Sequence, residues 1–274
     1  MKPALMDPQE LEKFRISQKT AYRAVMETIP YLSEGMTEIE AARILDENLK
    51  QKGINNFFHT AFAWFGERTA FRGMSHPFQF LPTDKKLEKG MAVILDVAPA
   101  PEGYASDIGF SFSFGENSLV ERGKKDLQMF RELILDGVRG EKPISWIYRD
   151  VDILIQELGY YNCHQKYPLS VLGHKVGKMG TDFSFNFFGF SLQTYLYLLG
   201  ESLDGMNPFE YHYKSHPYWN RNSKFISPPG LYAVEPHIGI ENVGVKFEEI
   251  LVITDYDAFW LDDDLPHVTY WETV

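Results

Sequence analysis

The 274-residue chain lacks the features that mark secreted, membrane and nucleic-acid-binding proteins. Its single cysteine, Cys163, excludes an intramolecular disulfide and a thiolate-only metal site, and it fits a reducing compartment. No stretch of about 18 uncharged apolar residues predicts a membrane span, and the sequence MKPALMDPQELEKF has no apolar signal-peptide core. Lys and Arg total 27 against 38 Asp and Glu, a net charge of -11 that argues against nucleic acid or an anionic membrane as partner. We therefore expect a soluble cytoplasmic protein.

The composition is that of a folded globular protein. Apolar residues make up 44% of the chain and charged residues 24%, with 21 Gly and 15 Pro. At roughly 150 residues per domain, the length allows one large domain or two small ones. Because no low-complexity linker interrupts the chain, we expect a single domain over residues 1–274.

Hydrophobic periodicity divides the chain into helices and strands. The second helix is predicted to begin at Thr37, because Glu40 completes a capping box with it. The turn PAPEG joins two short apolar runs into a predicted hairpin. This order of elements predicts an α+β domain built from two similar halves. The predicted elements are two helices within 8–52, helices at 117–139 and 144–158, and strands at 91–99, 104–115, 169–177, 230–239 and 245–254.

Isolated ionisable residues inside the predicted strands are the most informative feature of the sequence. A charge in a buried strand costs several kcal/mol unless it is paired or binds a metal. For any one residue an edge strand or a salt bridge is a sufficient explanation, but the chain has five such places. They hold Asp96, Asp107, His174, Glu235 and Glu248, the last followed by Glu249.

The spacing of the four carboxylates predicts that they converge. Asp107 follows Asp96 by 11 residues across PAPEG, and Glu248 follows Glu235 by 13 residues across IGIENVG, so each pair suits a hairpin. Carboxylates that close raise one another's pKa unless cations neutralise them. Four carboxylates and the nitrogen of His174 match two divalent ions, with Mn, Co, Fe or Zn suited to such ligands. The residues thus predict a dinuclear metal site.

Five stretches follow one another over about residues 8–256, and the last four carry these residues: FGERTAF, PTDKKLEKGMAVILDVAPAPEGYASDI, GHKVG, GLYAVEPHIG and GVKFEEILVIT. Together they resemble the catalytic domain of the pita-bread metallopeptidases, which include methionine aminopeptidase, aminopeptidase P and prolidase, with creatinase as a non-metal relative. PTDKKLEKG and the Glu-Pro-x-Ile-Gly form favour the aminopeptidase P and prolidase branch. The resemblance implies an α+β pita-bread fold, with two pseudo-symmetric halves around a curved antiparallel sheet. In that branch a separate N-terminal domain usually precedes the catalytic one, but we expect no creatinase-type N-terminal domain here, because Asp96 lies within the first hundred residues.

The resemblance implies a role for each of the five residues. The metal ligands would be Asp96, Asp107, His174, Glu235 and Glu248. Asp107 and Glu248 would bridge the two ions. Glu235 would also receive the proton of the attacking water and pass it to the leaving amine.

Non-ligand histidines, which hold the substrate and stabilise the tetrahedral intermediate, are a further feature of the family. His76, in GMSHPF, best matches the histidine that precedes the first aspartate. A histidine common four residues before the metal histidine is replaced by Ser170, and His59 and His237 are its available substitutes.

The chain departs from the family pattern after His174. The histidine expected seven residues later is replaced by Thr181, and an aromatic-rich insertion follows at about 182–215. If the insertion is placed before the missing histidine, His216 in SHPYWN takes its role, with His212 in reserve.

These features predict a metal-dependent exopeptidase that removes an N-terminal residue from short peptides, with Xaa-Pro peptides as the candidate class. Two alternatives remain open: a non-peptidase hydrolase or lyase of a small molecule on the same fold, and a catalytically silent binding module. We expect a peptide or other small molecule as substrate, no nucleic acid or membrane partner, and a homodimer, as the resemblance implies.

Overall fold

Helices and antiparallel strands follow one another in the order that the sequence predicts. The computed structural model describes residues 7–180, 186–187, 189–204 and 216–274. Within these ranges the helices are α1 (Pro8–Thr28), α2 (Glu38–Gln51), α3 (Ser118–Arg139), α4 (Ile144–Glu157), α5 (Leu192–Asp204) and α6 (Pro266–Trp271). The strands are β1 (Phe57–Phe65), β2 (Met91–Pro99), β3 (Ile108–Phe114), β4 (Tyr161–Asn162), β5 (Gly173–Val176), β6 (Asn186–Phe187), β7 (Phe190–Ser191), β8 (Tyr218–Trp219), β9 (Gly230–Val234), β10 (His237–Ile240), β11 (Val243–Ile253) and β12 (Ala258–Trp260).

The predicted start of α2 is confirmed. Thr37 Oγ1 accepts a hydrogen bond from the backbone N–H of Glu40 at 3.2 Å, and Glu40 Oε2 accepts one from the backbone N–H of Thr37 at 2.8 Å. This exchange satisfies two backbone donors that the first turn would otherwise leave free. None of the described helices is long and apolar enough to cross a bilayer.

The strands form one antiparallel sheet, and the predicted α+β class is confirmed. Its strand order is β6-β7-β1-β2-β3-β11-β9-β5-β8, with β10 and β12 paired to β11 and β4 paired to β10. A helix pair precedes strands twice: α1 and α2 precede β1 to β3, and α3 and α4 precede the strands around β11. The central junction is the pairing of β3 with β11, which joins the two halves.

The alternation of side chains across the strands separates an apolar face from a polar one. In β2, Val93, Leu95 and Val97 pack into the main hydrophobic core with α1, α2 and α3. In β11, Val245 and Phe247 do the same. Because successive strand residues point to opposite faces, the residues between them point away from these helices. Asp96 and Glu248 are among those residues, so the polar site lies on the face opposite the helical layer.

The described part of the predicted insertion packs beside β1. β7 pairs with β1 at His59 and Phe190, and β6 pairs with β7. At the start of α5, Thr194 Oγ1 donates to the carbonyl oxygen of Phe58 at 2.5 Å. Strands β6 and β7 of the insertion therefore extend the sheet edge next to the site, and α5 packs against β7 and β1. Thr181 and His212 lie outside the described residues.

Candidate metal centre

The fold brings the five predicted ligands to one buried place. Asp96 lies in β2, Asp107 directly precedes β3, His174 lies in β5, Glu235 directly follows β9 and Glu248 lies in β11. Each is at most 9% exposed. Both predicted hairpins are present, because β2 pairs with β3 and β10 pairs with β11.

Gly109 in β3 lies between the two strands that carry Asp96 and Glu248. Asp96 pairs with Gly109 from one side and Glu248 pairs with Gly109 from the other. A Cβ atom on Gly109 would lie 2.4 Å from Cε of Lys246. The missing side chain at Gly109 therefore leaves the space that Lys246 fills between the two carboxylates.

Asp107 is at the centre of the cluster, with one histidine at each of its oxygens. His59 Nε2 lies 2.9 Å from Oδ1, and His174 Nε2 lies 3.1 Å from Oδ2. Burial by itself would raise the pKa of Asp107, but His59 and His174 hold it below the usual range. Burial would lower the pKa of His59, but Asp107 and Asp96 outweigh it and raise the pKa to about 9.

Two groups of three side chains have the composition of a metal site. One consists of His59, Asp96 and Asp107, and the other of Asp107, His174 and Glu248; the ligand atoms in each lie within 4.8 Å of one another. One imidazole and two carboxylates make a mixed nitrogen and oxygen set that suits divalent transition metals. Asp107 belongs to both groups, so the residues present fit two ions that share this carboxylate.

Lys246 is the functional residue that sequence reasoning missed. Its buried Nζ donates to Asp96 Oδ2 at 2.7 Å, to Glu235 Oε2 at 2.8 Å and to Glu248 Oε2 at 2.7 Å. The signal was present in GVKFEE, because a residue two positions before Glu248 in a strand shares its face. Burial would lower the pKa of Lys246, but the three carboxylates raise it well above its usual value, so the side chain is an ammonium.

Burial raises the pKa of both glutamates of the cluster. It raises the pKa of Glu248 well above its ordinary value, and the neighbouring Asp107 and Glu235 raise it further. Burial also raises the pKa of Glu235, against the opposing effect of Lys246. The charged forms of these carboxyl groups are therefore disfavoured without further cations, and bound cations would stabilise them.

The predicted catalytic histidines lie elsewhere in the described part of the chain. His76 is exposed, and its backbone N–H donates to Gln79 Oε1 at 3.0 Å. His216 is partly buried, with Nε2 at 3.4 Å from Ser223 Oγ and its ring against Phe225. Among the described residues, neither histidine belongs to the two ligand groups. Their catalytic roles remain predictions.

Of the two substitute histidines, His59 joins the cluster and His237 does not. His237 is buried, and its Nε2 lies 2.7 Å from the carbonyl oxygen of Thr69. Burial lowers the pKa of His237 well below its usual value, so the ring is neutral and Nε2–H donates to that carbonyl. Phe58, next to His59, stacks on His174 with ring centroids 5.2 Å apart, which fixes the plane of that imidazole.

Glu249 points away from the cluster and anchors β11. Arg131 of α3 donates to Glu249 through Nε at 2.7 Å and through a terminal nitrogen at 3.2 Å. His267 Nε2 lies 3.0 Å from Glu249 Oε1. The fully buried carboxylate is thus held from two sides, and this contact positions the strand that carries Lys246 and Glu248.

Comparison with known proteins agrees with this geometry. The X-Pro aminopeptidase from Thermotoga maritima MSB8 has the same fold, with a TM-score of 0.67 and 20% identity over 94% of this chain and 62% of that one. The recombinant prolidase from Thermococcus sibiricus gives a TM-score of 0.67 and 20% identity over 94% of this chain and 59% of that one. The predicted pita-bread fold is therefore confirmed.

A sequence relative is an uncharacterized peptidase of Staphylococcus aureus (strain USA300), 25% identical over 172 residues. The match covers 61% of this chain and 45% of that protein, so the chain corresponds to less than half the length of this relative. The family model of metallopeptidase family M24 matches residues 12–255. Since that match extends over most of the chain and includes all five predicted ligands, the chain belongs to metallopeptidase family M24.

Proposed function

We propose that the chain is a metal-dependent exopeptidase that hydrolyses the N-terminal peptide bond of short peptides, with Xaa-Pro peptides as the substrate class. The observation that carries this proposal is the pair of ligand groups that share Asp107. Two proteins of the same fold, an X-Pro aminopeptidase and a prolidase, support the substrate class. Membership of family M24 supports the use of divalent metal.

In this proposal, Asp96, Asp107, His174, Glu235 and Glu248 hold two divalent ions, with Mn, Co, Fe and Zn all compatible. When bound, such ions supply Lewis-acid chemistry that acidifies a water molecule and polarises a peptide carbonyl. Asp107 is suited to contact both ions, because its two oxygens face different histidines.

Glu235 is the residue proposed to move the proton. It belongs to neither of the two ligand groups, and Lys246 binds its Oε2 at 2.8 Å. This ion pair orients the carboxylate, so Oε1 is the oxygen that would accept a proton and later deliver it to the leaving amine. His76 and His216 are proposed to donate hydrogen bonds to the substrate or to the developing oxyanion, as the family resemblance implies.

The proposal is tested by measuring metal content and peptide hydrolysis together. After removal of metal with a chelator and reloading with Mn²⁺ or Co²⁺, we expect about two ions per chain and hydrolysis of Xaa-Pro dipeptides and tripeptides. Asp107→Asn should abolish both, because it removes an anionic carboxylate that belongs to both ligand groups. Exposed Asp255→Asn is the matched control and should change neither.

A failure of the metal-binding result and a failure of the hydrolysis result would lead to different conclusions. Full peptide hydrolysis by Asp107→Asn would contradict the proposed centre. Specific metal binding without hydrolysis of any peptide would favour the second candidate, a non-peptidase hydrolase or lyase of a small molecule. The departures from the family's histidine pattern at Ser170 and Thr181, together with the aromatic-rich insertion, favour that candidate. The two intact ligand groups count against a silent binding module.

We also propose that residues 1–274 act as one catalytic domain and that the chain forms a homodimer in the cytoplasm. The continuous sheet, which joins both halves through β3 and β11, supports the single domain. Exposed leucines on α5 support the dimer: Leu196 is 59% exposed and Leu203 is 60% exposed. Apolar side chains on one stripe of a helix favour burial against a partner.

A further inference from the structure

We propose that His59 is a metal ligand, so that each of the two metal positions is held by one histidine and one oxygen of Asp107, together with the other carboxylates. This inference rests on the proposed dinuclear centre and adds a sixth residue to its five ligands. His59 would hold the ion on the Asp96 side, and His174 the ion on the Glu248 side.

The first support is the position of His59 relative to Asp96. Both residues are buried and lie on neighbouring strands, β1 and β2. Register shifts occur between Phe57 and His59 and again between His59 and Phe62. Irregularities of this kind re-aim side chains relative to a regular ladder. His59 Nε2 thereby comes to 2.9 Å from Asp107 Oδ1 and 3.4 Å from Asp96 Oδ1.

The second support is the correspondence between His59 and His174. Each ring directs Nε2 at a different oxygen of Asp107, at 2.9 and 3.1 Å. Each ring also directs Nδ1 at the carbonyl oxygen of the residue that follows it, Thr60 at 2.8 Å and Lys175 at 3.3 Å. A metal-bound histidine usually donates its second ring N–H to such an acceptor, which leaves the first nitrogen free to bind metal. His59 has the same arrangement as the histidine that the family resemblance assigns as a ligand.

The third support is the set of oxygens that Lys246 leaves available. Its ammonium occupies Oδ2 of Asp96 and Oε2 of Glu248. The other oxygens of these carboxylates face the histidines: Asp96 Oδ1 lies 3.4 Å from His59 Nε2, and Glu248 Oε1 lies 3.9 Å from His174 Nε2. Lys246 also holds Oε2 of Glu235. The Asp96 side therefore obtains a third protein ligand atom from His59.

A second imidazole has a chemical consequence for metal choice. Imidazole nitrogen suits Zn, Cu, Fe and Ni, whereas carboxylate oxygen suits Mg, Ca and Mn, and Co²⁺ generally binds such sites more tightly than Mn²⁺. A centre with one histidine for each ion should bind Zn²⁺ or Co²⁺ in preference to Mn²⁺ at both positions.

Counting the histidines bound to Co²⁺ tests the inference directly. In proton magnetic resonance of the 274-residue chain loaded with Co²⁺, each bound imidazole gives a strongly shifted, solvent-exchangeable N–H resonance. We expect two such resonances in the unsubstituted chain and one in each of His59→Gln and His174→Gln. His164→Gln, at a buried histidine outside both ligand groups, is the matched control and should keep both.

Calorimetric titration with Co²⁺ supplies a second readout. His59→Gln should weaken the binding of one ion by more than the 10–100-fold that loss of an outer hydrogen-bond partner produces, and should leave the other ion bound. Circular dichroism verifies that His59→Gln folds. The number of shifted resonances in the unsubstituted chain tests the inference even if this variant does not fold.

The outcomes separate this inference from the proposed function. Two bound ions with a single shifted resonance, lost in His174→Gln, would overturn the role of His59 while leaving the dinuclear centre intact. Two resonances that persist in His59→Gln would overturn it as well. No specific Co²⁺ binding by the unsubstituted chain would overturn the dinuclear centre itself, and the inference with it.

Discussion

A single side chain, Lys246, determines how the charges of the site are balanced. Four buried carboxylates converge, and the Lys246 ammonium contacts three of them at 2.7 to 2.8 Å. Its position depends on Gly109, where any side chain would collide with Lys246. The fourth carboxylate, Asp107, is paired with histidines instead. Lys246 thus pairs with three of the buried carboxylates, and the imidazoles of His59 and His174 pair with the fourth.

At this scale we predict that Lys246→Met destabilises the metal-free protein. Removing one partner of a buried ion pair leaves uncompensated charge, which costs about 3–5 kcal/mol in the free energy of unfolding. Urea denaturation in the presence of a chelator measures this loss. Divalent metal should recover more stability in Lys246→Met than in the unsubstituted chain, because bound cations replace the missing charge. Lys13→Met, at a half-exposed lysine, is the control. Equal urea midpoints for Lys246→Met and the unsubstituted chain would refute the prediction.

At the scale of elements, β11 positions the site, because one of its faces contacts the helices and the other contributes side chains to the cluster. Lys246 and Glu248 face the cluster, while Phe247 and Glu249 face the helical layer. Glu249 receives two hydrogen bonds from Arg131 of α3 and faces His267 of α6. Burial would raise the pKa of Glu249, but His267 and Arg131 hold it below the ordinary value. The contacts of Glu249 on the helical face therefore hold β11 in place, while the opposite face carries Lys246 and Glu248.

We predict that Arg131→Met destabilises the protein by about 3 kcal/mol, because Glu249 then keeps only His267 as a partner for a buried charge. Thermal or urea unfolding measures the change. Arg139→Met, on the same helix but paired with exposed Asp257, is the matched control and should lose less than about 1 kcal/mol. A loss for Arg131→Met no larger than for Arg139→Met would show that the anchor does not stabilise β11.

At the scale of the whole molecule, the sheet places the site between the two halves, and the described part of α5 exposes several leucines. Asp96 and Asp107 come from the first half, and His174, Glu235 and Glu248 from the second. The pairing of β3 with β11 holds the two sets together. The site thus requires both halves of the sheet. On α5, beside this sheet, the exposed leucines form the surface that we assign to the dimer.

We predict that the unsubstituted chain sediments as a dimer and that the double variant Leu196→Lys/Leu203→Lys sediments as a monomer. Charges placed on both leucines would have to be desolvated at an apolar interface, which disfavours association. Analytical ultracentrifugation over a range of concentrations measures the change. Ile153→Lys on α4, also an exposed apolar helix residue, is the control and should remain dimeric. A monomeric unsubstituted chain would reject the dimer.

Local patterns explain why much of the fold and the positions of the five ligands could be predicted. The Thr37–Glu40 capping box marked the start of α2, and the run 91–99 matched β2 in both bounds. Strand alternation and the spacing of Asp96 and Asp107 across a short turn led to a converging pair. These signals operate over a few residues, so the sequence carries them without knowledge of the packing.

The sequence by itself determined the α+β order, the hairpins and the charged residues that had to be buried together; the tertiary structure decided which of those charges meet. Lys246 and Asp96 are 150 residues apart in the chain, and only the pairing of β3 with both β2 and β11 brings them together. His59 was one of two substitutes in the sequence, and the register shifts of β1 against β2 brought its ring to Asp107. Such contacts depend on strand register and on the space left at Gly109, and hydrophobic periodicity specifies neither.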